Sequence, residues 1–402
     1  MATPHPPSPG AFFGTEPDRF DFTWPGHAVF GDGCARQLPE WASARRVARP
    51  LVLSDAGLVR VGIVAPLLET LEVVGCRPIL FDGVAANPTL DNVTQARATW
   101  DAQHCDGLIA IGGGSVIDVG KVLVAGLCAD VPIEDVLREG DRVLQRAAPP
   151  FAALPTTAGT GSESTTAALV KDHHGRKHVL RSRNSRPQWL ALDPRLTLSL
   201  PASVTANTGF DTVMHALGAA TNRATNPVGE ALALQALALG MQALPAVLAD
   251  PTSLNARSDM LLASYLAGVA MSLRGVDGIH GLCTPLEGLV DVPHAHVLAV
   301  TCIPLMRFTL PAAVARYARA ARACSLGNAG DCDEVLAHAL VESIDRLREQ
   351  AALPHTLAEL GVQIDALGPV IDAAEHNPSL RLNARQPTRD EIAGLYRAMQ
   401  PG

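Results

Sequence analysis

The stretch GLIAIGGGSVIDVGK, residues 107–121, decides the fold of this chain. Its first five residues form an apolar run with β-branched members, which is typical of a buried parallel strand. Three glycines follow, and they let the backbone turn tightly and approach a ligand with no Cβ in the way. The next residues predict a helix that begins near Ser115. A strand, a glycine turn and a helix start together present backbone N–H groups to a phosphate.

A second loop strengthens this interpretation. The segment PTTAGTGSEST, residues 155–165, follows another apolar run at residues 151–154. Its hydroxyl groups and small residues offer donors to ribose and phosphate oxygens and tolerate a close backbone approach. Neither loop has the spacing of GxGxxG or of a Walker loop, and either one alone could be an ordinary turn. Two such loops after two apolar strands predict a nucleotide-binding domain.

The rest of the chain divides into two patterns. Strand-like runs at residues 47–53, 77–81, 107–111, 151–154 and 189–192 alternate with helical stretches at 57–74, 89–103 and 116–126. This alternation predicts a parallel, Rossmann-like sheet with helices on both faces, in an α/β domain over residues 21–198. After Pro201 the sequence shows long Ala- and Leu-rich segments at helical spacing, which predict an all-α domain over residues 199–402. The Pro-rich residues 1–20 lack a targeting pattern and are expected to form a flexible arm.

Four residues of the second half have the chemistry of a metal site. Asp211 and His215 are four residues apart, so on a helix they share one face. His280 and His294 are separated by a turn-containing stretch that could bring two helix ends together. One carboxylate and three imidazoles suit Fe²⁺ or Zn²⁺. The Asp/His pair alone is weak evidence, and the two upstream loops give it weight.

Composition narrows the class of protein. The chain has 402 residues, of which 48% are hydrophobic and 18% charged, as in ordinary soluble globular proteins. A net charge of −8 argues against a nucleic-acid-binding surface. Eight cysteines without a Cys-x-x-Cys pair indicate reduced thiols and a cytoplasmic location. The apolar run at residues 231–249 contains Gln, Gly and Pro, and we expect a buried helix there and no membrane span.

Together these motifs resemble the iron-containing (group III) alcohol dehydrogenase family, over roughly residues 25 to 400. That family is related in fold to glycerol dehydrogenase, maleylacetate reductase and dehydroquinate synthase. The match includes Asp55 after the first strand-like run, the Asn-Pro-Thr segment at 87–89, and both loops with Lys121. It also includes the four candidate metal ligands at the family's usual spacing. The resemblance therefore implies a dehydroquinate synthase-like fold.

The resemblance also implies a function. It predicts a metal-dependent oxidoreductase that transfers hydride between a nicotinamide cofactor and a small alcohol or aldehyde. The metal would be held by Asp211, His215, His280 and His294, with iron expected and zinc as the alternative. The carboxylate of Asp55 is expected to favour NAD over NADP, because it would repel a 2′-phosphate. The expected partners are the small substrate and further copies of the chain in a homodimer or higher homo-oligomer, with no nucleic acid. The cofactor-binding residues implied are Asp55, Asn87, Gly113, Gly114, Ser115, Asp118, Thr156, Thr157, Thr160, Ser162, Thr165 and Lys177.

Two positions depart from the family pattern. Thr284 stands where relatives often carry a histidine that has been viewed as a proton-relay group, and threonine does not titrate near neutral pH. Arg274 lies six residues before His280, where relatives usually have small or amide residues. A cation there predicts a substrate with an anionic group. The alternative is that Arg274 is exposed or pairs with Glu287 or Asp277.

Other functions stay open at this point. A maleylacetate reductase has the same fold and need not use a metal; the four retained ligands favour the dehydrogenase, whereas Thr284 and Arg274 leave room for the reductase. A non-catalytic cofactor-binding protein is expected to have lost ligands or loop glycines, and none is lost. A lyase of the dehydroquinate synthase type is disfavoured, because its metal set and basic phosphate site are not recognisable.

Overall fold

A six-stranded parallel sheet forms the centre of the N-terminal half. Its strands are β1 (His27–Phe30), β2 (Pro50–Leu53), β3 (Ile79–Phe81), β4 (Gly107–Gly112), β5 (Phe151–Pro155) and β8 (Trp189–Leu192). They lie in the order β1-β8-β5-β4-β2-β3. Between β5 and β8 the chain forms an antiparallel hairpin of β6 (Ala167–Lys171) and β7 (Lys177–Arg181). The computed structural model describes residue 20 and residues 22–400, so the predicted arm at residues 1–20 lies, apart from Phe20, outside the described residues.

Six helices accompany this sheet. They are α1 (Leu38–Ala44), α2 (Ala56–Arg60), α3 (Val64–Val73), α4 (Leu90–Gln103), α5 (Gly114–Cys128) and α6 (Ile133–Glu139). All residues of β2, β4, β5 and β8 are buried, which explains their apolar sequences. Asp55 begins α2 by accepting a hydrogen bond from the Leu58 N–H, and Thr89 begins α4 with a capping box. The prediction of a parallel-sheet α/β domain is confirmed.

The C-terminal half is helical. Its helices are α7 (Ala202–Thr221), α8 (Pro227–Ala249), α9 (Leu254–Arg274), α10 (Gly278–Leu286), α11 (His294–Ala323), α12 (Asp333–Gln350), α13 (Leu367–Glu375) and α14 (Arg389–Ala398). Helix α11 contains Pro304 and Pro311, and the non-helical φ of −129° at Ala313 marks a kink that joins two helical segments. Residues 202–400 contain no strand, as the sequence predicts.

The chain divides into two compact units. The first comprises Trp24–Pro201 and Pro251–Gly268, and the second comprises Ala202–Asp250 and Val269–Gly402. The sequence-based division after residue 198 assigns residues 251–268 to the helical domain, whereas the structure groups them with the α/β unit. A close approach of two glycines explains the grouping: a Cβ on Gly161, whose φ is +60°, would lie 2.8 Å from the Gly268 Cα. The Ser164 hydroxyl also donates a hydrogen bond to the Tyr265 carbonyl, at 3.2 Å.

Two helices of the second unit have the length and composition of membrane spans. They are α8 and α11, and 39% and 67% of their most apolar windows are buried inside the protein. Both helices pack against α7. This packing gives their apolar residues a place inside the helical unit.

Candidate active site

The four predicted metal ligands lie together in the helical unit. Helix α7 carries Asp211 and His215 one turn apart, α10 carries His280, and His294 is the first residue of α11. The Oδ1 atom of Asp211 lies 3.4 Å from Nε2 of His215, 3.8 Å from Nε2 of His280 and 3.6 Å from Nε2 of His294. Three imidazole nitrogens therefore surround one carboxylate oxygen.

The donor atoms at this point fit a divalent cation. Ligand atoms about 2.1 Å from a shared ion in tetrahedral arrangement lie about 3.4 Å from one another. The three nitrogens lie at a similar distance, 3.4–3.8 Å, from the Asp211 Oδ1. Asp211 Oδ1 and both ring nitrogens of His280 are buried and have no hydrogen-bond partner among the described residues. Such buried polar atoms are costly unless a ligand satisfies them.

The protonation states of Asp211 and His280 suit metal binding. Burial lowers the pKa of His280 to about 4, so its ring is neutral at neutral pH. Burial raises the pKa of the Asp211 carboxyl, but the adjacent His215, His280 and His294 lower it more, and the net pKa lies well below its usual range. A neutral imidazole and an ionised carboxylate are the forms that bind metal.

His294 makes a second set of contacts through its other ring nitrogen. Its Nδ1 is hydrogen-bonded to Oε1 of Glu287. The Cys283 Sγ lies 3.6 Å from the same Nδ1 and 3.9 Å from the Glu287 oxygen. This arrangement was not predicted from the sequence, in which Glu287 was considered only as a partner of Arg274. The only sequence signal was the position of Glu287 between the last two ligands.

Arg274 does not have the role that was predicted for it. Its side chain is 1% exposed, and Nε donates to the Ala219 carbonyl at 2.5 Å. The two terminal nitrogens donate to the carbonyls of Asn222 and Asn226 and to the Glu230 carboxylate, at 3.2–3.4 Å. The guanidinium thus satisfies carbonyls at the C-terminal end of α7 and beyond it. The predicted contact with a substrate anion is therefore wrong, and the protein partner is Glu230 rather than Glu287 or Asp277.

Thr284 lies on α10, one turn after His280. Its side chain is exposed, and its hydroxyl donates a 2.9 Å hydrogen bond to the His280 carbonyl. This back-bond is common for threonine inside a helix. The function of Thr284 stays a prediction.

The predicted phosphate loop has the expected geometry in the α/β unit. Gly113 precedes α5 and provides no capping side chain, so the first N–H groups of a 15-residue helix are left for other acceptors. A Cβ on Gly114 would lie 2.6 Å from the Thr160 Oγ1, and one on Gly113 would lie 3.2 Å from the Thr157 side chain. The two glycine loops are therefore in close contact. The Ser115 hydroxyl donates to the carbonyl of Ala86, next to Asn87.

Four residues predicted to contact the cofactor are buried. The Asp118 carboxylate accepts from the Ser162 hydroxyl and from the Leu169 N–H. The Lys121 ammonium donates to the hydroxyls of Ser162 and Thr165, both at 3.0 Å. Asp118, Ser162 and Thr165 thus support the second loop from within, and their contact with the cofactor stays a prediction. Thr156 is 1% exposed.

The remaining predicted cofactor residues reach the surface. Asn87, Thr160 and Lys177 are exposed, and Asp55 and Thr157 are partly exposed. One carboxylate oxygen of Asp55 accepts the 3.0 Å bond from Leu58 N that begins α2.

A cluster of metal-ligand side chains on helices that follow a parallel-sheet domain is typical of metal-dependent oxidoreductases. The sequence model described as iron-containing alcohol dehydrogenase matches residues 25–194, and that of the Fe-containing alcohol dehydrogenase C-terminal domain matches residues 205–400. The chain belongs to the iron-containing alcohol dehydrogenase family. The predictions of family, fold and hydride transfer between a nicotinamide cofactor and a small alcohol or aldehyde are confirmed.

Individual relatives match over nearly the whole chain. The 1,3-propanediol dehydrogenase of Citrobacter freundii is 31% identical over 94% of this chain and 98% of its own length. A sulfoacetaldehyde reductase from Bifidobacterium kashiwanohense, solved in complex with NAD⁺, superposes with a TM-score of 0.87 at 26% identity, covering 95% of this chain and 98% of that one. A maleylacetate reductase from Agrobacterium tumefaciens superposes with a TM-score of 0.79 at 25% identity, covering 96% and 98%.

Proposed function

We propose that Asp211, His215, His280 and His294 hold the divalent metal of an NAD-linked alcohol dehydrogenase or aldehyde reductase. The observation that carries this proposal is the approach of three imidazole Nε2 atoms to within 3.4–3.8 Å of one Asp211 oxygen. When bound, the metal supplies a Lewis acid for the substrate oxygen, and the nicotinamide carries the hydride. Iron is the expected metal, with zinc as the alternative.

The protein's own residues prepare this site. The ionised Asp211 supplies a negative charge that offsets part of the charge of a dication. Because Asp211 and His280 are buried, their donor atoms are held away from competing water. Arg274 is occupied inside the protein and gives no preference for an anionic substrate. The substrate class proposed is therefore a small alcohol or aldehyde, without a required charge.

We propose that the cofactor pyrophosphate binds at the start of α5. The backbone N–H groups of Gly114 and Ser115 lie in the first turn of that helix, and Gly113 allows close approach. Thr157 and Thr160, on the adjoining loop, offer hydroxyls at or near the surface. Asp55 would accept from the adenosine ribose hydroxyls, which favours NAD over NADP.

A reconstitution experiment tests the function. Protein purified without oxygen is stripped with a chelator, reloaded with Fe²⁺ or Zn²⁺, and assayed by nicotinamide absorbance over small alcohols and aldehydes. The expected result is one metal per chain and turnover that is lost on stripping and restored on reloading. Turnover of alcohols or aldehydes that does not depend on metal would overturn the proposal.

Maleylacetate reduction is the second candidate. Thr284, in place of a titratable relay group, and the structural likeness to the A. tumefaciens enzyme favour it. The same stripped and reloaded protein, assayed with maleylacetate, separates the two. Metal-independent maleylacetate reduction without alcohol or aldehyde turnover would establish this second function instead.

We also propose a cytoplasmic homo-oligomer. All eight cysteines are free and seven are buried, which suits a reducing compartment. Strand β1 lies at an edge of the sheet, and its Phe30 is 46% exposed, so a second copy of the chain could cover it. Light scattering coupled to size-exclusion chromatography gives the mass directly, and a monomer at micromolar concentration would contradict the oligomer.

A further inference from the structure

The His294 ring lies between two carboxylates. Its Nε2 is 3.6 Å from Oδ1 of Asp211, on the side of the proposed metal. Its Nδ1, on the opposite side of the ring, is hydrogen-bonded to Oε1 of Glu287. Glu287 directly follows α10, which carries His280, and His294 begins α11. The Glu287–His294 bond therefore joins two elements that each provide a proposed ligand.

The direction of this hydrogen bond fixes the form of the imidazole. An ionised carboxylate has only acceptor atoms, so Nδ1 must be the donor and carry the ring proton. The Nε2 atom of the neutral ring then has a free lone pair, which is the requirement for ligation. A carboxylate in this position also restricts rotation of the ring.

The neighbouring Cys283 thiol is a poorer partner for the His294 ring than Glu287. If the Cys283 S–H donated to Nδ1, the ring proton would lie on Nε2, where it would block a metal. The thiol also lies 3.9 Å from the Glu287 oxygen, and a thiol is a weak donor. A carboxylate bond to an imidazole N–H is the stronger interaction.

We propose that Glu287 is a positioning residue for the metal. It holds the Nδ1–H form of His294 and aims Nε2 at the point shared by Asp211, His215 and His280. The proposal rests on the metal site proposed above. It goes beyond that site because Glu287 is not one of the four ligands.

Metal affinity tests the proposal directly. The affinity of stripped protein for Zn²⁺ and Fe²⁺ is measured by competition with a chromophoric chelator for wild type, Glu287→Ala and Glu287→Gln. Glu287→Ala is expected to bind metal about 10- to 100-fold more weakly, the usual effect of removing such a partner. Glu287→Gln is expected to lose less metal affinity than Glu287→Ala, because the amide oxygen of glutamine can still accept a hydrogen bond from the His294 Nδ1–H.

Asp291→Asn is the matched control. Asp291 is exposed in the same connection between α10 and α11, and its substitution removes the same charge. Its metal affinity is expected to stay within about twofold of wild type, since water screens an exposed charge. Unfolding midpoints of the metal-free proteins show whether each variant folds.

A second readout reports the tautomer itself. In Zn²⁺-loaded protein with ¹⁵N-labelled histidine, the His294 signals, assigned with His294→Ala, are expected to show a protonated Nδ1 and a ligated Nε2. A ring protonated at Nε2 would overturn the proposal, and this measurement decides the question if Glu287→Ala does not fold.

The two proposals fail in different ways. If wild-type protein binds no stoichiometric metal, the metal site itself is wrong. If His294→Ala loses affinity but Glu287→Ala binds like wild type, the metal site stands and the positioning role of Glu287 is wrong.

Discussion

The Oδ1 atom of Asp211 lies 3.4 Å from Nε2 of His215, one turn further along α7. Helix geometry alone sets this relationship, because residues four apart lie on one face. His280 and His294 reach the same oxygen from two other helices. The cluster is thus a local pair completed by tertiary structure, and a metal would connect all three helices.

Replacing His280 with alanine should abolish metal-linked stability and activity together. A metal at 100 times its dissociation constant stabilises the native state by about 2.7 kcal/mol. Loss of a ligand should weaken binding by more than about 100-fold, beyond the effect of an outer-shell partner. We therefore expect the rise in unfolding temperature on adding metal to disappear in His280→Ala, together with the bound metal measured by elemental analysis.

His338→Ala serves as the control for this variant. His338 is an exposed histidine on α12, and its removal should leave the metal content and the metal-induced shift unchanged. Full metal content in His280→Ala would show that His280 is not a ligand.

Asp55→Asn should relax the preference for NAD over NADP. Asparagine keeps the side-chain oxygen that accepts from Leu58 N, so α2 keeps its cap, while the charge that would repel a 2′-phosphate is removed. We expect the ratio of kcat/KM for NAD to that for NADP to fall about 10- to 100-fold, which corresponds to about 1–3 kcal/mol.

The neighbouring Asp82→Asn removes an exposed carboxylate just after β3 and should leave that ratio nearly unchanged. Wild-type protein that already prefers NADP would contradict the assignment of Asp55.

Four of the five strands that the sequence predicted are buried along their whole length, and the fifth, β3, is a partly exposed edge strand. The apolar runs at residues 107–111 and 189–192 correspond closely to β4 and β8. Strand β1 was missed because it is four residues long and exposed at both ends, so it has no continuous apolar signal. The β6–β7 hairpin was missed for two reasons. The loop at residues 155–165, just before β6, resembles a nucleotide-binding segment, and β6 and β7 alternate between exposed and buried residues, so neither has a continuous apolar run.

Within the site, motif spacing predicted the residues that converge, but not how each one is used. Asp118 and Ser162 match cofactor motifs, yet they bond to each other inside the protein. Arg274 could not be distinguished from an anion-binding arginine, because its acceptors are mostly backbone carbonyls that no sequence pattern marks. Which side chains satisfy one another depends on tertiary distances.

Arg274→Ala should destabilise the protein without a selective effect on anionic substrates. The substitution leaves the Ala219 carbonyl without its buried donor, and it removes one of the two arginine donors of the Asn222 carbonyl and one of the partners of Glu230. Breaking a buried network of this kind costs about 3–5 kcal/mol. Chemical unfolding should therefore show a large decrease in the free energy of unfolding. Any change in KM should be equal for charged and uncharged aldehydes.

Arg319→Ala provides the comparison, because Arg319 also pairs with Glu230 but is 57% exposed. Arg319→Ala should lower the free energy of unfolding by less than about 1 kcal/mol. A KM increase in Arg274→Ala that is confined to anionic aldehydes would restore the substrate role.

Glu163→Gln should change how stability depends on pH. Burial raises the pKa of the Glu163 carboxyl from 4.5 to about 7, and its Oε1 has no hydrogen-bond partner among the described residues. Between these values the native state binds more protons than the unfolded state, so the contribution of Glu163 to stability is present below pH 4.5 and is lost as pH rises through about 7. The neutral glutamine removes this loss. As the pH is raised from 4.5 to 8, the free energy of unfolding of the variant should increase relative to that of wild type by on the order of 1–3 kcal/mol.

Urea unfolding at a series of pH values measures this difference. The neighbouring Lys121 titrates in both proteins, but the charge of Glu163 raises the pKa of the Lys121 ammonium. The difference between the two curves therefore reports Glu163 together with this interaction. Glu69→Gln, at an exposed position on α3, should give a curve parallel to that of wild type. If the Glu163→Gln curve is also parallel to wild type, then Glu163 is ionised in the folded protein at neutral pH. Its charge must then be balanced inside the fold, and the buried Lys121 ammonium is a cation that lowers its pKa.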